Sequence, residues 1–441
     1  MMKSYFFELA DFIQTRLQGG EDFTAWLSGE QSDFVRFNHG KVRQAGLVSQ
    51  LYLNLRLIRG QKHTAISLSL NGGRASDQAR VTGALSQLRD LLPDVAEDPH
   101  LLLNTEPRST ERQEASRLPS SEAIVEDVVA AANGYDFVGF LASGPMFSGF
   151  ANSWGQRNWH ETASFSLDWS LYAGGDKAVK AGYAATEWQR DQFCHKFDHA
   201  AAQLLLLQKT AQTIKPGQYR AYLTPSAVGE LVGMMNWGGF SEKSLRTKRS
   251  SLIKLADGEL ALNPMVSLLE HTAEGLAPGF QGEGFIKPAH VDLVKAGRFA
   301  GSMISPRTAR EYGIAANGAG DGEYFQSLQM AAGDLAQDRV LAELGTGLYI
   351  SNLWYLNFSD RVNARVTGMT RFATFWVENG EIVAPLNVMR FDDSLFRMLG
   401  NNLSALTQER DLLVETQTYS SRQSSSMRLP GALLSDMTLV L

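Results

Sequence analysis

Thiol chemistry is almost missing from this chain. One cysteine, Cys194, stands among 441 residues. That excludes an internal disulfide framework and any cysteine-rich zinc module, and it fits a reducing cytoplasm, the compartment expected here. Histidine is scarce too: there are 8, and none follows His290. With no Gly-x-Ser-x-Gly elbow either, a nucleophile–imidazole pair has little to draw on. No apolar run reaches the roughly 18 residues of a membrane-spanning helix. The opening stretch Met1–Ala10 carries Lys3 and Glu8 and lacks the features of a signal peptide. Positive charge is not in excess: 41 Lys+Arg face 47 Asp+Glu, for a net charge of −6. There is no field to release phosphate counterions, so nucleic acid is not an expected partner.

What is present is the make-up of a globular protein, with 44% hydrophobic and 20% charged residues in a length sufficient for two or more domains. Phe6, Leu9, Ile13 and Leu17 recur at helical spacing. The period then drops to 2. Phe23–Ser28 and Asp33–Phe37 read as strands, Asn38-His39-Gly40 as a turn, and Leu51, Leu53, Leu55 and Leu57 as the inner face of a further strand, returned by Thr64–Leu70. Helices are predicted over Asp77–Leu92, Ser121–Asn133 and Gln189–Thr213, with a strand-rich stretch from Phe137 to Trp188. The fold class is therefore α+β. A break at Lys215-Pro216-Gly217 divides an N-terminal α+β domain, 1–214, from a β-rich C-terminal domain, 215–441. Glu378-Asn379-Gly380-Glu381 between two apolar runs predicts a late hairpin.

Few residues offer chemistry. His195 and His199 are four apart, so a helix puts both imidazoles on one face, where they can share a metal. A zincin helix needs Glu directly after the first His, however, and Lys196 stands there, so surface histidines are the simpler reading. The glycines of 279–284 and 313–322 lack the Lys-Ser/Thr of a phosphate loop and read as turns. Trp154 and Trp159 can stack on a ligand or join an interface, but aromatics in strands more often belong to a core.

Several blocks, in order along nearly the whole chain, resemble the TldD/PmbA (TldE) family, once described as modulators of DNA gyrase. They are Ser32–Val42, Gly149-Phe150-Ala151-Asn152-Ser153-Trp154-Gly155, Pro216-Gly217-Gln218-Tyr219 with Leu223-Thr224-Pro225, Phe375–Ile382, and Gly400-Asn401-Asn402-Leu403. The resemblance implies a two-domain fold and a metallopeptidase built from two related subunits. In the catalytic subunit a helix bears His-Glu-x-x-x-His and a late cysteine completes the metal site; the Glu handles the proton of an activated water.

Aligned from Tyr222-Leu223-Thr224, that helix falls on Val228–Gly238. The ligand positions then hold Gly233 and Gly238, the Glu position holds Met234, and Gln408–Leu441 has no cysteine. The resemblance is thus to the PmbA/TldE branch. It implies a subunit with no cofactor of its own, paired with a zinc-bearing TldD-like catalytic subunit or with a second copy of itself, acting on peptides or unfolded segments. Two alternatives stand beside it: an independent metallopeptidase using atypical ligands such as His195 and His199, and a stand-alone peptide-binding scaffold. The stretch Asn352–Thr370 departs from the family's glycine-rich loop.

Overall fold

Alternating polarity builds two large sheets in a computed structural model that describes residues 2–175 and 177–440. At the N-terminus, helix α1 (Met2–Thr15) buries Phe6, Leu9, Ala10 and Ile13 along one stripe. Strands β1 (Asp22–Asn38), β2 (Lys41–Arg59) and β3 (Lys62–Leu70) follow as an antiparallel meander. The two strands expected at Phe23–Ser28 and Asp33–Phe37 are one. Gly29 and Glu30 stay in register with Leu51 and Gln50, and a Cβ at Gly29 would lie 2.4 Å from Leu51 Cδ2. The turn at His39-Gly40 forms as expected, both residues having positive φ.

Helix α2 (Arg74–Leu91), strand β4 (Glu111–Gln113) and helix α3 (Ser121–Ala131) lead to three further strands, β5 (Asp136–Asn152), β6 (Arg157–Gly174) and β7 (Lys177–Ala185). The first sheet runs β3-β2-β1-β5-β6-β4, with β7 also paired on β6. Helix α4 (Arg190–Leu207) packs on β7 and β6; it is shorter than Gln189–Thr213.

Residues 208–216 carry the chain to the second sheet. Its elements are β8 (Gly217–Leu223), α5 (Pro225–Met235), β9 (Leu268–Glu270), β10 (Val291–Lys295), β11 (Arg298–Phe299), β12 (Ser327–Met330), β13 (Gly347–Asp360), β14 (Arg365–Glu378), β15 (Glu381–Pro385), β16 (Arg390–Ser394), β17 (Leu403–Val414) and β18 (Ser426–Leu439). The order is β11-β10-β9-β12-β18-β16-β14-β13-β8, with β15 on β14 and β17 on β18. Because β18 also pairs with β8, the strands β18-β16-β14-β13-β8 close into a circuit. The β14–β15 hairpin turns at Asn379-Gly380, both at positive φ.

Two cores stay within one half each. Phe6, Leu53, Leu57, Leu85 and Trp159 belong to the first, and the α5 face with Leu348, Ile350, Phe391 and Leu434 to the second. A third is common to both sheets. Phe193, Phe197 and Leu204 of α4 join Trp169 and Tyr183 of the first sheet and Tyr222, Tyr349, Phe375 and Leu433 of the second. Trp159 is fully buried and stacks on Phe147 at 6.2 Å, so it serves the core and no outer face; Trp154 is half-buried.

The 415–425 loop between β17 and β18 reaches back to the first sheet. Its Arg422 guanidinium donates to Gly144 O at 2.9 Å and Ser164 O at 2.8 Å, while its backbone N–H donates to Glu30 Oε1 at 3.2 Å. Glu30, buried in β1, also accepts from Ser32 and Gln50. Removing the guanidinium leaves the Gly144 and Ser164 carbonyls without this donor and takes a compensating positive charge away from buried Glu30. Arg422→Ala is expected to destabilise the chain by about 3 kcal/mol, measured by urea unfolding.

His160, on β6, is 2% exposed and its Nε2 donates to Leu276 O at 2.9 Å. Burial depresses its pKa from 6.5 to about 4, because charging the ring here means desolvating it. The unfolded chain therefore binds a proton that the folded chain refuses. Stability fully present above about pH 6.5 is lost as pH falls toward about 4, by about 3 kcal/mol in total. Unfolding free energies measured across that range should show this slope, and His160→Gln should remove it.

Candidate active-site cavity

Helix α5 begins where β8 ends. Thr224 caps it by accepting from Ala227 N–H, Pro225 occupies its first turn, and Asn236 closes it before Gly238 turns at φ +82°. Val228, Leu231, Val232 and Met235 are buried on the core side. The opposite side lines a cavity of about 1440 Å³ walled by β7, α5, and the facing ends of β17 and β18. The α5 helix predicted for Val228–Met235 is present, and its outer face looks into this cavity.

The three positions aligned with the family's ligand–base–ligand set lie in different settings. Gly233 lines the cavity, and a Cβ built on it meets nothing within 4 Å. Met234 also borders the cavity but is 3% exposed. Gly238 lies beyond the helix, outside the cavity wall, where a Cβ would come 2.9 Å from Ser244 Oγ. These residues do not fit a metal: glycine has no side-chain donor, and a thioether cannot take a proton from bound water. Among the described residues no three His, Cys, Asp or Glu side chains gather as a ligand set.

His195 and His199 do share a helix, α4, but neither lines the cavity. The Nε2 of His199 accepts the Gln203 amide at 3.0 Å, which occupies the lone pair a metal would need, and the same amide donates to Tyr349 Oη at 3.1 Å. Packing around the His199 ring, with His195 and Lys196 adding repulsion, holds its pKa below the ordinary value.

The polar groups of the cavity were not singled out by the sequence. Asp168 on β6 pairs with Lys180 on β7 at 3.1 Å; burial still raises its carboxyl, against the pull of Lys180. Lys196 of α4 pairs with Asp411 of β17 at 2.9 Å, and Arg112 with Glu114 at 3.0 Å. Glu230 projects from α5 one turn before Gly233. Burial raises its carboxyl above the usual range, opposed by Lys180 and reinforced by Glu415. A signal for Glu230 was available: it is the one charged residue of α5, on the same side as Gly233.

The chain belongs to the TldD/PmbA/TldE family, residues 216–440 matching the family described as PmbA/TldA metallopeptidase C-terminal domain. Metalloprotease PmbA of Escherichia coli O157:H7 is 28% identical over 206 residues, 46% of this chain and 41% of that protein. The match thus spans less than half of that relative. TldE from Thermococcus kodakarensis superposes with a TM-score of 0.80 at 14% identity, over 99% of this chain and 100% of that one. A candidate modulator of DNA gyrase from Thermotoga maritima gives 0.77 at 14% identity, over 100% of both chains. At such identities these likenesses establish the fold, which is the α+β fold of the family. No helix among the described residues is long and apolar enough to cross a membrane.

The orientation of α5 has a direct test. Gly233→Ala places a methyl in open space within a helix and should stabilise the chain by about 0.5–1 kcal/mol. Gly238→Ala forces a side chain into the left-handed region against Ser244 and should cost about 1 kcal/mol or more. Thermal unfolding of the two variants checks both signs.

Proposed function

We propose that this chain is the PmbA/TldE-like subunit of a TldD/TldE-type metallopeptidase. It works in the cytoplasm on peptides or unfolded segments and carries no metal ligands of its own. The observation that carries this reading is the outer face of α5: a wide cavity is kept, while the position looking into it is Gly233 and the next is Met234. Hydrolysis of a peptide at neutral pH needs an activated water, which a metal supplies by lowering that water's pKa to about 7. Without ligands at this helix, the retained cavity serves as a wall or groove, and the metal and its base come from a TldD-like partner. The wall charges are largely tied to one another, through Lys180–Asp168, Lys196–Asp411 and Arg112–Glu114. That suits holding a substrate more than transferring protons.

The test is to assay an unstructured peptide with this chain alone, a TldD-like subunit alone, and both. Cleavage is expected only with both, and elemental analysis of this chain should find no stoichiometric zinc. Chelator-sensitive cleavage by this chain alone, with about one zinc per chain, overturns the proposal.

A further inference from the structure

Two large aromatic side chains stand uncovered on the cavity wall. Trp237, just past the end of α5, is 49% exposed, and Tyr324, in the segment before β12, is 56% exposed. Leaving that much ring surface in water forgoes the burial that usually draws such residues inside. The segments that carry them are joined by the Asn236 side chain, which donates to Phe325 O at 3.1 Å and accepts Phe325 N–H at 2.9 Å.

The presentation of Tyr324 is built into the backbone. Glu323, the residue before it, has φ +52°, a conformation uncommon outside glycine. Its own carboxylate holds it there: it is buried and accepts from Ser241 Oγ at 2.6 Å, Lys243 N–H at 2.9 Å and Ser305 N–H at 2.9 Å. Phe325, the residue after, is anchored in the second core. Gly322 lies against the ring, and a Cβ there would come 2.3 Å from Tyr324 Cε2. Trp237 is fixed as well. Its N–H donates to Met234 O at 3.2 Å, its carbonyl accepts from Arg361 at 3.3 Å, and its ring meets Phe358 edge-on at 6.4 Å. Backbone strain that its surroundings over-determine is characteristic of ligand clamps.

This part of the wall is also electrically neutral. The end of α5 from Gly233, residues 324–326, and Asn352 and Leu356 of β13 contribute no charged side chain to the lining. Cations that adjoin it are engaged: Arg361 lies over the Phe358 ring at 5.0 Å, and Lys287 donates to Gln326 Oε1 at 2.6 Å. What the wall offers here is two rigid, half-covered ring systems with Leu356 beside them. Such a surface gains most from a flat apolar guest, because rings that meet offset or edge-on attract beyond the area they cover. Trp and Tyr also give up little side-chain freedom when they bind.

We propose that Trp237 and Tyr324 form a subsite for an aromatic side chain of the bound peptide. This rests on the reading that the cavity holds peptides, and it adds which residue is selected: phenylalanine, tyrosine or tryptophan over an aliphatic or charged side chain. The two rings act on binding and take no part in bond cleavage.

The first test is fluorescence anisotropy with the intact chain. A labelled unstructured peptide carries phenylalanine, leucine, lysine or alanine at one position and no other aromatic residue. The phenylalanine peptide is expected to bind about fivefold tighter than the leucine peptide. Trp237→Leu and Tyr324→Leu, which keep apolar bulk, should each bring the two toward parity and leave the alanine peptide unchanged. Equal binding of the phenylalanine and leucine peptides, tightest binding of the lysine peptide, or a preference that survives both substitutions overturns the subsite and leaves peptide binding standing. Weakening of all four peptides alike is the mark of a merely structural role and overturns it too.

A second test needs no peptide. The chain is labelled with 5-fluorotryptophan, and the Trp237 resonance, identified by its absence in Trp237→Phe, is followed as N-acetylphenylalaninamide or N-acetylleucinamide is added. A shift with the first probe at concentrations where the second gives none, lost in Tyr324→Leu, supports the subsite even where no peptide binds, the outcome that defeats the functional reading alone. A resonance unmoved by either probe, or moved equally by both, overturns the subsite.

Discussion

The arrangement of the two sheets depends on one shared apolar core. Helix α4 comes from the N-terminal half, yet Phe193, Phe197 and Leu204 bury against Tyr222, Tyr349 and Phe375 of the second sheet as well as Trp169 and Tyr183 of the first. A surface contact between independent domains would be more polar and free to shift. This one is packed as an interior, and Gln203 reinforces it with a buried hydrogen bond to Tyr349. The position of β7 opposite α5 and β17 follows, and with it the width of the cavity. The Lys196–Asp411 pair and the Arg422 contacts fix the same geometry from the rim.

Within that frame, α5 has two faces with different obligations. The inner face obeys packing: Val228, Leu231, Val232 and Met235 fill the second core. The outer face is free of that demand, and there the residues are Ser226, Glu230 and Gly233. Glycine inside a helix costs about 1 kcal/mol relative to alanine. At Gly229 close packing accounts for it, since a Cβ would stand 2.7 Å from Leu413 Cδ1. At Gly233 no neighbour explains the absence of a side chain, and the open volume is what the glycine leaves behind.

Much of the fold was legible because it rests on local rules. The alternating leucines of β2, the Asn-Gly turn of the late hairpin and the apolar stripe of α5 all formed where patterning placed them. What was not legible is what depends on distant partners. The continuity of β1 through Gly29-Glu30 comes from its neighbours β2 and β5, which hold a polar stretch extended. The burial of Trp159 comes from the arrival of α1 and Phe147. For the site, the family pattern led to Gly233 and Met234, but the wall opposite them, Asp168, Lys180 and Asp411, is spread over three strands and left no spacing to detect. His195 and His199 had the right spacing and the wrong face.

Strand β18 pairs with β8, β12, β16 and β17, so one segment near the end of the chain completes the second sheet. During synthesis that segment emerges only after the strands it pairs with. Until it emerges, β8, β12, β16 and β17 present unpaired edges and the apolar face of α5 has only part of its cover. Such edges template wrong pairings, and contacts this distant in sequence form slowly. The nascent chain therefore passes through a stage in which its N-terminal sheet can fold while its C-terminal half waits. That interval is when protection by a chaperone has most influence on yield.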